Sequence, residues 1–157
     1  MEIRNADISE IAILAQLWYD AWQDAHADLM PAELIEIRTF ENFRERLELM
    51  RPTVRVADYI GHPLGFHILK DDELYQLFVS REARGTGVAA TLIADAESIL
   101  YRNGVKTAWL ACAIGNDRAA RFYKKSGWKN AGIVTNILDL STGPYELDVW
   151  RFEKSLA

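Results

Sequence analysis

The spacing of apolar residues changes period repeatedly along this chain, and each change marks an element. Ile3 sits in a short strand-like start. Asp7-Ile-Ser-Glu10 has the form of a capping box, and Ile8, Ile11, Leu14, Ala15, Trp18 and Trp22 follow as the apolar stripe of a first helix. Pro31 suits the first position of a second helix, with Phe40, Phe43, Leu47 and Met50 continuing on one face until Pro52. The period then falls to two. Strands are expected over 53–60, 64–69 and 73–80, separated by turns at Gly61-His-Pro63 and Lys70-Asp-Asp72. Helical spacing returns at Val88, Ala89, Leu92, Ile93, Ala96, Ile99 and Leu100, and Asn103-Gly104 closes that helix. The unbroken apolar run at 107–113 reads as a buried parallel strand. Asn116 caps a short helix over 117–126 that stops at Gly127, and strands over 128–138 and 145–152 flank the turn Ser141-Thr-Gly-Pro144.

The resulting order is β, α, α, a three-strand antiparallel meander, then α, β, α, β, β. This is an α/β chain with a mixed, mainly antiparallel sheet of about seven strands flanked by four helices. Only one βαβ crossover is clear, so the strands at 73–80 and 107–113 should be parallel neighbours. A chain of 157 residues that is 50% hydrophobic is expected to form a single domain over 1–157. No apolar run reaches membrane-spanning length, and the N-terminus lacks the blocks of a signal peptide. Cys112 is the only cysteine, which excludes an internal disulfide and points to a reducing cytoplasm. A net charge of −5 argues against a nucleic-acid partner and mildly favours a cationic small molecule.

The chemistry concentrates where the third meander strand runs into Arg84-Gly-Thr-Gly87-Val-Ala89. Gly85 and Gly87 let the backbone approach a ligand, and the helix that follows offers unpaired N–H groups at its positive end. Such a turn is suited to a phosphate. Gly85-x-Gly87-x-x-Ala90 formally matches the dinucleotide fingerprint. That fingerprint, however, occupies the first βα turn and needs an acidic residue about 20 positions on, where Cys112 and Ala113 stand. No G-x-x-x-x-G-K-[ST] loop is present.

A different match takes in the whole arrangement. Arg84-Gly-Thr-Gly87-Val-Ala89 fits R-x-x-G-x-A, and the segment from Asn116 to Trp128 fits N-x-x-A-x-x-F-Y-x-x-x-G-[FW] through Ala119, Phe122, Tyr123 and Gly127. At these positions the chain resembles the GCN5-related N-acetyltransferase (GNAT) superfamily. Glu73-Leu-Tyr75-Gln-Leu77-Phe-Val79 is similar to that family's lead-in strand, whereas Arg81 stands where many members carry proline. The resemblance is most specific between Glu73 and Trp128. It implies a parallel strand pair that splays apart, with acetyl-CoA as co-substrate in the gap. The pantetheine arm would pair with the strand at Leu77, Phe78 and Val79. The pyrophosphate would rest on the amides of Arg84, Gly85, Thr86, Gly87, Val88 and Ala89. The implied activity is acetyl transfer to a primary amine, with oxyanion stabilisation from a backbone N–H near Val79.

The resemblance also assigns roles to single residues. Tyr123 would protonate the leaving thiolate, and adjacent helical positions point about 100° apart, so Phe122 facing the core would leave Tyr123 facing the groove. Asn116 would touch the pantetheine arm as well as capping its helix. Glu73 has two readings: a general base acting directly or through water, or a solvated carboxylate at a strand start. Cys112 reads as a small core residue. His26, His62 and His67 lack metal-ligand spacing, so no metal site is expected. Trp18, Tyr19, Asp20, Trp22, Asp24 and Asp28 cluster on or after the first helix, where GNAT folds wall the acceptor site. Aromatics with carboxylates there would suit an amine cation, although Trp18 and Trp22 also read as simple packing. A small-molecule amine is the leading acceptor. The alternatives are a peptide N-terminus or a non-catalytic acyl-CoA-binding module, and a homodimer through the last strands stays open.

Overall fold

Asp7 begins the first helical segment as its spacing foretells. Its side chain accepts from the Ser9 amide, Glu10 accepts from the Asp7 amide at 2.9 Å, and a single 3₁₀ turn leads into α1 (Ile11–His26). In this computed structural model, which describes residues 1–156, α1 buries Ile11, Leu14, Ala15, Trp18 and Trp22. Ile8 departs from the expected stripe: it lies in the 3₁₀ turn and is 70% exposed. The helix expected from Pro31 to Met50 is in fact two, α2 (Ala32–Ile37) and α3 (Phe40–Met50). Arg38 leaves helical geometry with ψ at 65°, and the Thr39 side chain caps a fresh helix by accepting from the Asn42 amide at 3.1 Å. Five helices therefore flank the sheet among the described residues, not four.

The remaining elements are β1 (Ile3–Asn5), β2 (Val54–Ala57), β3 (Gly65–Lys70), β4 (Glu73–Val79), α4 (Val88–Arg102), β5 (Thr107–Ala113), α5 (Asp117–Lys125), β6 (Lys129–Leu140) and β7 (Gly143–Ser155). β2 is shorter than its sequence pattern because Asp58 turns to a positive φ of 80° directly after it. The seven strands form one sheet in the order β1-β2-β3-β4-β5-β7-β6, with every pair antiparallel except β4–β5.

That parallel pair is joined at one place only, Glu73 opposite Trp109. Beyond it the strands separate, and a bulge explains why. β3 pairs Leu69 with Leu74 and Ile68 with Gln76, which leaves Tyr75 as an extra residue on β4. A bulge bends its strand and ends regular pairing. Tyr75 and Phe78 consequently pack on the α1–α3 side of the sheet, and Leu74 and Leu77 on the α4–α5 side. Among the described residues the β4 edge that faces β5 has no strand partner from Tyr75 to Val79.

Apolar clusters cover both faces. Trp18, Phe43, Leu47 and Phe66 centre the first, and Leu92, Leu100, Leu110, Trp128 and Phe152 lie in the others. One polar junction fastens α4 to the sheet. Asp95 sits 2.8 Å from Nε2 of fully buried His67 and takes two bonds of 3.1 Å from Arg55. Burial raises the Asp95 carboxyl, but the hydrogen bonds from His67 and Arg55 outweigh it and bring its pKa down to about 2. Among the described residues no helix is long and apolar enough to cross a membrane.

Candidate active site

The separation of β4 from β5 opens a cavity of about 600 Å³ walled by α1, the turn before α4, and α5. Gly87 is the N-terminal cap of α4 with φ at 88°, and Gly85 has φ at 76°, a region that costs glycine little and other residues much. A Cβ built on either glycine meets nothing within 4 Å, so both turn an open face outward. The first-turn amides of α4 carry no capping side chain. Three cations gather at the same end. Arg84, Arg118 and Lys125 line the cavity, and Arg84 is held by Asp24 at 3.3 Å while Arg81 takes the other oxygen of that carboxylate at 2.8 Å. Burial, then repulsion from Arg84, lowers the pKa of Arg118. Helix amides and crowded guanidiniums together give this end the donors and positive charge that suit an anion.

Leu77, Phe78, Val79, Arg84, Gly85, Gly87, Ala89, Asn116 and Tyr123 all line this cavity. Three other members of the expected set do not: Glu73 lies on the far side of the gap, and the other two are Val88 and Thr86. Val88 is buried in the core, and the Thr86 hydroxyl folds back to donate to the Ala83 carbonyl, so either could reach a ligand only through its backbone. Asn116 caps α5 by accepting from the Ala119 amide at 3.3 Å. Phe122 is not simply a core residue: it lines the cavity beside Tyr123, the two rings meeting edge-on at 5.4 Å. Arg118 and Lys125 were absent from the expected site. Their spacing of seven on α5, two helical turns, was the signal that could have found them.

On the far side of the gap lies a smaller compartment of about 160 Å³. Five residues belong to both spaces: Leu77, Phe78, Asn116, Ala119 and Tyr123. The Tyr123 ring is packed by Trp128 and Phe152. Burial, and secondarily the nearby Cys112 thiol, raises its phenol far above the usual range and keeps it protonated. Burial likewise pushes the Cys112 thiol up to about 11, with Asp117 adding to the shift, so it is no nucleophile at neutral pH.

Glu73 lines the smaller compartment and a third one of about 180 Å³ beside it. It is not a solvated carboxylate. It is buried, and burial above all pushes its pKa up to about 7. The first-helix carboxylates are not in these compartments: Asp24 is paired with Arg81 and Arg84, and Asp20 accepts from Gln16 at 2.9 Å. Trp22 and His26 do line the smaller compartment, and burial holds His26 neutral with a pKa of about 4. Trp18 is fully buried against Phe43 and Phe66. Among the described residues no three His, Cys, Asp or Glu side chains are grouped for a metal.

Known proteins resemble this chain in sequence and in fold. Proteins of Mycobacterium tuberculosis and Mycobacterium bovis, each called an uncharacterized N-acetyltransferase, are 33% identical over 98 residues. The matched region covers 59% of this chain and 63% of theirs, so the chain spans less than two thirds of the curated relatives it matches. A GCN5-related N-acetyltransferase structure from Rhodopseudomonas palustris superposes with a TM-score of 0.75 at 22% identity, covering 98% of this chain and 94% of that one. The PaiA N-acetyltransferase of Thermoplasma acidophilum, solved in complex with coenzyme A, superposes with a TM-score of 0.69 at 19% identity over 98% of each chain. Residues 12–128, which include the splayed pair, the glycine turn and α5, match the Acetyltransferase (GNAT) family, and the chain belongs to that family.

Proposed function

We infer that this chain, acting as one domain over residues 1–157, moves the acetyl group of acetyl-CoA to a primary amine of a small molecule by direct attack in a ternary complex. One observation carries the reading: Tyr123 lines both spaces of the gap, where a donor on one side could meet an acceptor on the other. The cavity suits the co-substrate. Its turn amides and cations match a pyrophosphate, and the partnerless edge of β4 at Leu77–Val79 matches an extended arm with amide groups. Coenzyme A in the Thermoplasma structure supports the same assignment. Bound there, acetyl-CoA supplies an activated acyl group as a thioester.

The residues then divide the work. Backbone N–H groups near Val79 are the donors for charge developing on the acyl oxygen. Tyr123 gives its proton to the departing thiolate. A phenol titrates near 10 and a thiol near 8.5, a gap of about 2 kcal/mol, and the same burial that raises the phenol raises a thiol beside it, as at Cys112. Glu73 accepts the proton that the incoming ammonium must lose. At about 3.3 Å per residue it stands about 13 Å along β4 from Leu77, beyond the reach of one side chain, so it acts through water. The small volumes on the acceptor side, about 160 and 180 Å³, favour a small molecule over a peptide.

A free-enzyme base with a pKa of about 7 gives kcat/KM an acidic limb that falls tenfold per unit below that pH. Glu73→Gln should flatten this limb and lower activity at pH 8 by about 10–100-fold. Its effect on stability has the opposite sign. The folded pKa lies above the ordinary 4.5, so the native state binds more protons between pH 4.5 and 7, and stability falls as pH rises through that window. Glu73→Gln should therefore melt higher than the parent at pH 8 and no higher at pH 4. The reaction itself is tested by thiol release from acetyl-CoA with a panel of small amines, then with short peptides. Release with small amines supports the reading. Release with peptides alone would make the chain a peptide N-terminal acetyltransferase.

A further inference from the structure

The acceptor compartments contain two guanidinium groups without a counter-charge. Arg38, at the break between α2 and α3, is 8% exposed and lines both the 160 Å³ and the 180 Å³ spaces. Its one side-chain hydrogen bond goes to the Asn42 amide oxygen at 3.1 Å. Arg46, on α3, lines the same two spaces. It is held over the Trp18 ring at 4.4 Å and donates to the Tyr75 hydroxyl at 2.9 Å. Among the described residues neither forms an ion pair, although the chain carries 23 acidic residues against 18 Lys and Arg. Burial, then repulsion from Arg46, lowers the Arg38 pKa to about 10, and no carboxylate opposes the shift. Glu73 lines the same two spaces, but among the described residues no ion pair joins it to either guanidinium. Asp139 on the rim of the third space is exposed and pairs with neither.

A buried guanidinium is ordinarily paired, and an uncompensated one is costly. Each offers five N–H donors in a planar fork that fits an oxyanion, and most of these remain unused here. Aromatic rings hold Arg46 in place without neutralising it. Resting on the acetyl-transfer reading above, we propose that the acceptor is an amine that also carries an oxyanion, a carboxylate or a phosphate, and that Arg38 and Arg46 bind it. The amine end then points along β4 towards Tyr123, and the acidic end fills the space beyond Glu73.

The test uses thiol release from acetyl-CoA with matched pairs of small amines. Amino acids are set against their carboxamides, and O-phosphoethanolamine against ethanolamine. A charge-assisted hydrogen bond from a buried guanidinium sets the expected preference at about 10–100-fold in kcat/KM for the acidic member of at least one pair. The pair that shows it identifies the oxyanion. Arg38→Gln should collapse the ratio towards one, and Arg46→Lys, which keeps the charge but loses the fork, should reduce it about tenfold. Acetyl-CoA affinity by calorimetry verifies that each variant is folded. Neutral amines turned over as well as acidic ones, or a preference that survives Arg38→Gln, would overturn this inference and leave acetyl transfer standing. Release with no amine of either kind, despite tight acetyl-CoA binding, would remove the transfer reading and this inference with it.

Discussion

Replacing Tyr123 with phenylalanine is expected to lower the turnover number by about 10²–10⁴-fold, the usual loss when a general acid is removed, with little change in acetyl-CoA affinity. The change deletes one oxygen and leaves the ring, so the packing against Trp128 and Phe152 survives and the cavity keeps its shape. Binding should hold because the anion site lies at the other end, at Gly87, Arg118 and Lys125. Burial keeps the phenol protonated near neutrality, so Tyr123 contributes no titration of its own there. Steady-state kinetics with calorimetry on the same preparation separates the two quantities. An unchanged turnover number would remove Tyr123 from the mechanism. Equal losses in turnover and affinity would make it part of the wall and nothing more.

Gly87→Val should abolish measurable acetyl-CoA binding. Two effects act together. The φ of 88° lies where a β-branched residue is strained, and the side chain would project into space that is empty of protein atoms. No packing within the protein is lost, so the cost to folding is confined to backbone strain on the order of 1–3 kcal/mol, which a native domain of ordinary stability survives. Circular dichroism checks the fold and calorimetry reads the affinity. Near-parental affinity in a folded variant would show that phosphate does not sit at this turn. Gly85→Val is the internal comparison, since Gly85 shares the positive φ and the open face.

Where backbone chemistry dictated residue type, the fold and site were legible in the residues alone. Glycine is favoured at positive φ in a turn that opens a helix, and an Asn side chain that caps α5 must stand just before it, so Gly85, Gly87 and Asn116 stood out at once. Apolar periodicity located every strand, the first helix and α4. It passed over the break at Arg38-Thr39 because apolar residues continue in step on both sides, and only the Thr39 cap marks the new helix. It also missed the bulge at Tyr75, because alternation along β4 says nothing about how β3 is registered against it. Arg38 and Arg46 escaped for a related reason. On their own elements both look like solvated positions, and Arg46 is half-buried by the aromatic surface of Trp18 and Tyr75, brought up from elsewhere in the chain. Carboxylates were expected beside the acceptor, and Asp24 instead sits with Arg81 and Arg84 at the cofactor end.

The central claim, that the gap between β4 and β5 is an acetyl-CoA site, is tested most directly by thermal unfolding with acetyl-CoA, NADH and ATP in parallel. A ligand that binds only the native state, at 100 times its dissociation constant, adds about 2.7 kcal/mol. For a chain of this size that is a rise in Tm of roughly 5–10 °C. All three nucleotides carry adenine and linked phosphates for the glycine turn, but only acetyl-CoA has an amide-bearing arm for the free edge at Leu77–Val79. The account predicts a shift of that size with acetyl-CoA and little with the other two. A shift with NADH and none with acetyl-CoA would contradict it, and Gly85-x-Gly87-x-x-Ala90 would then have to be read as a dinucleotide turn.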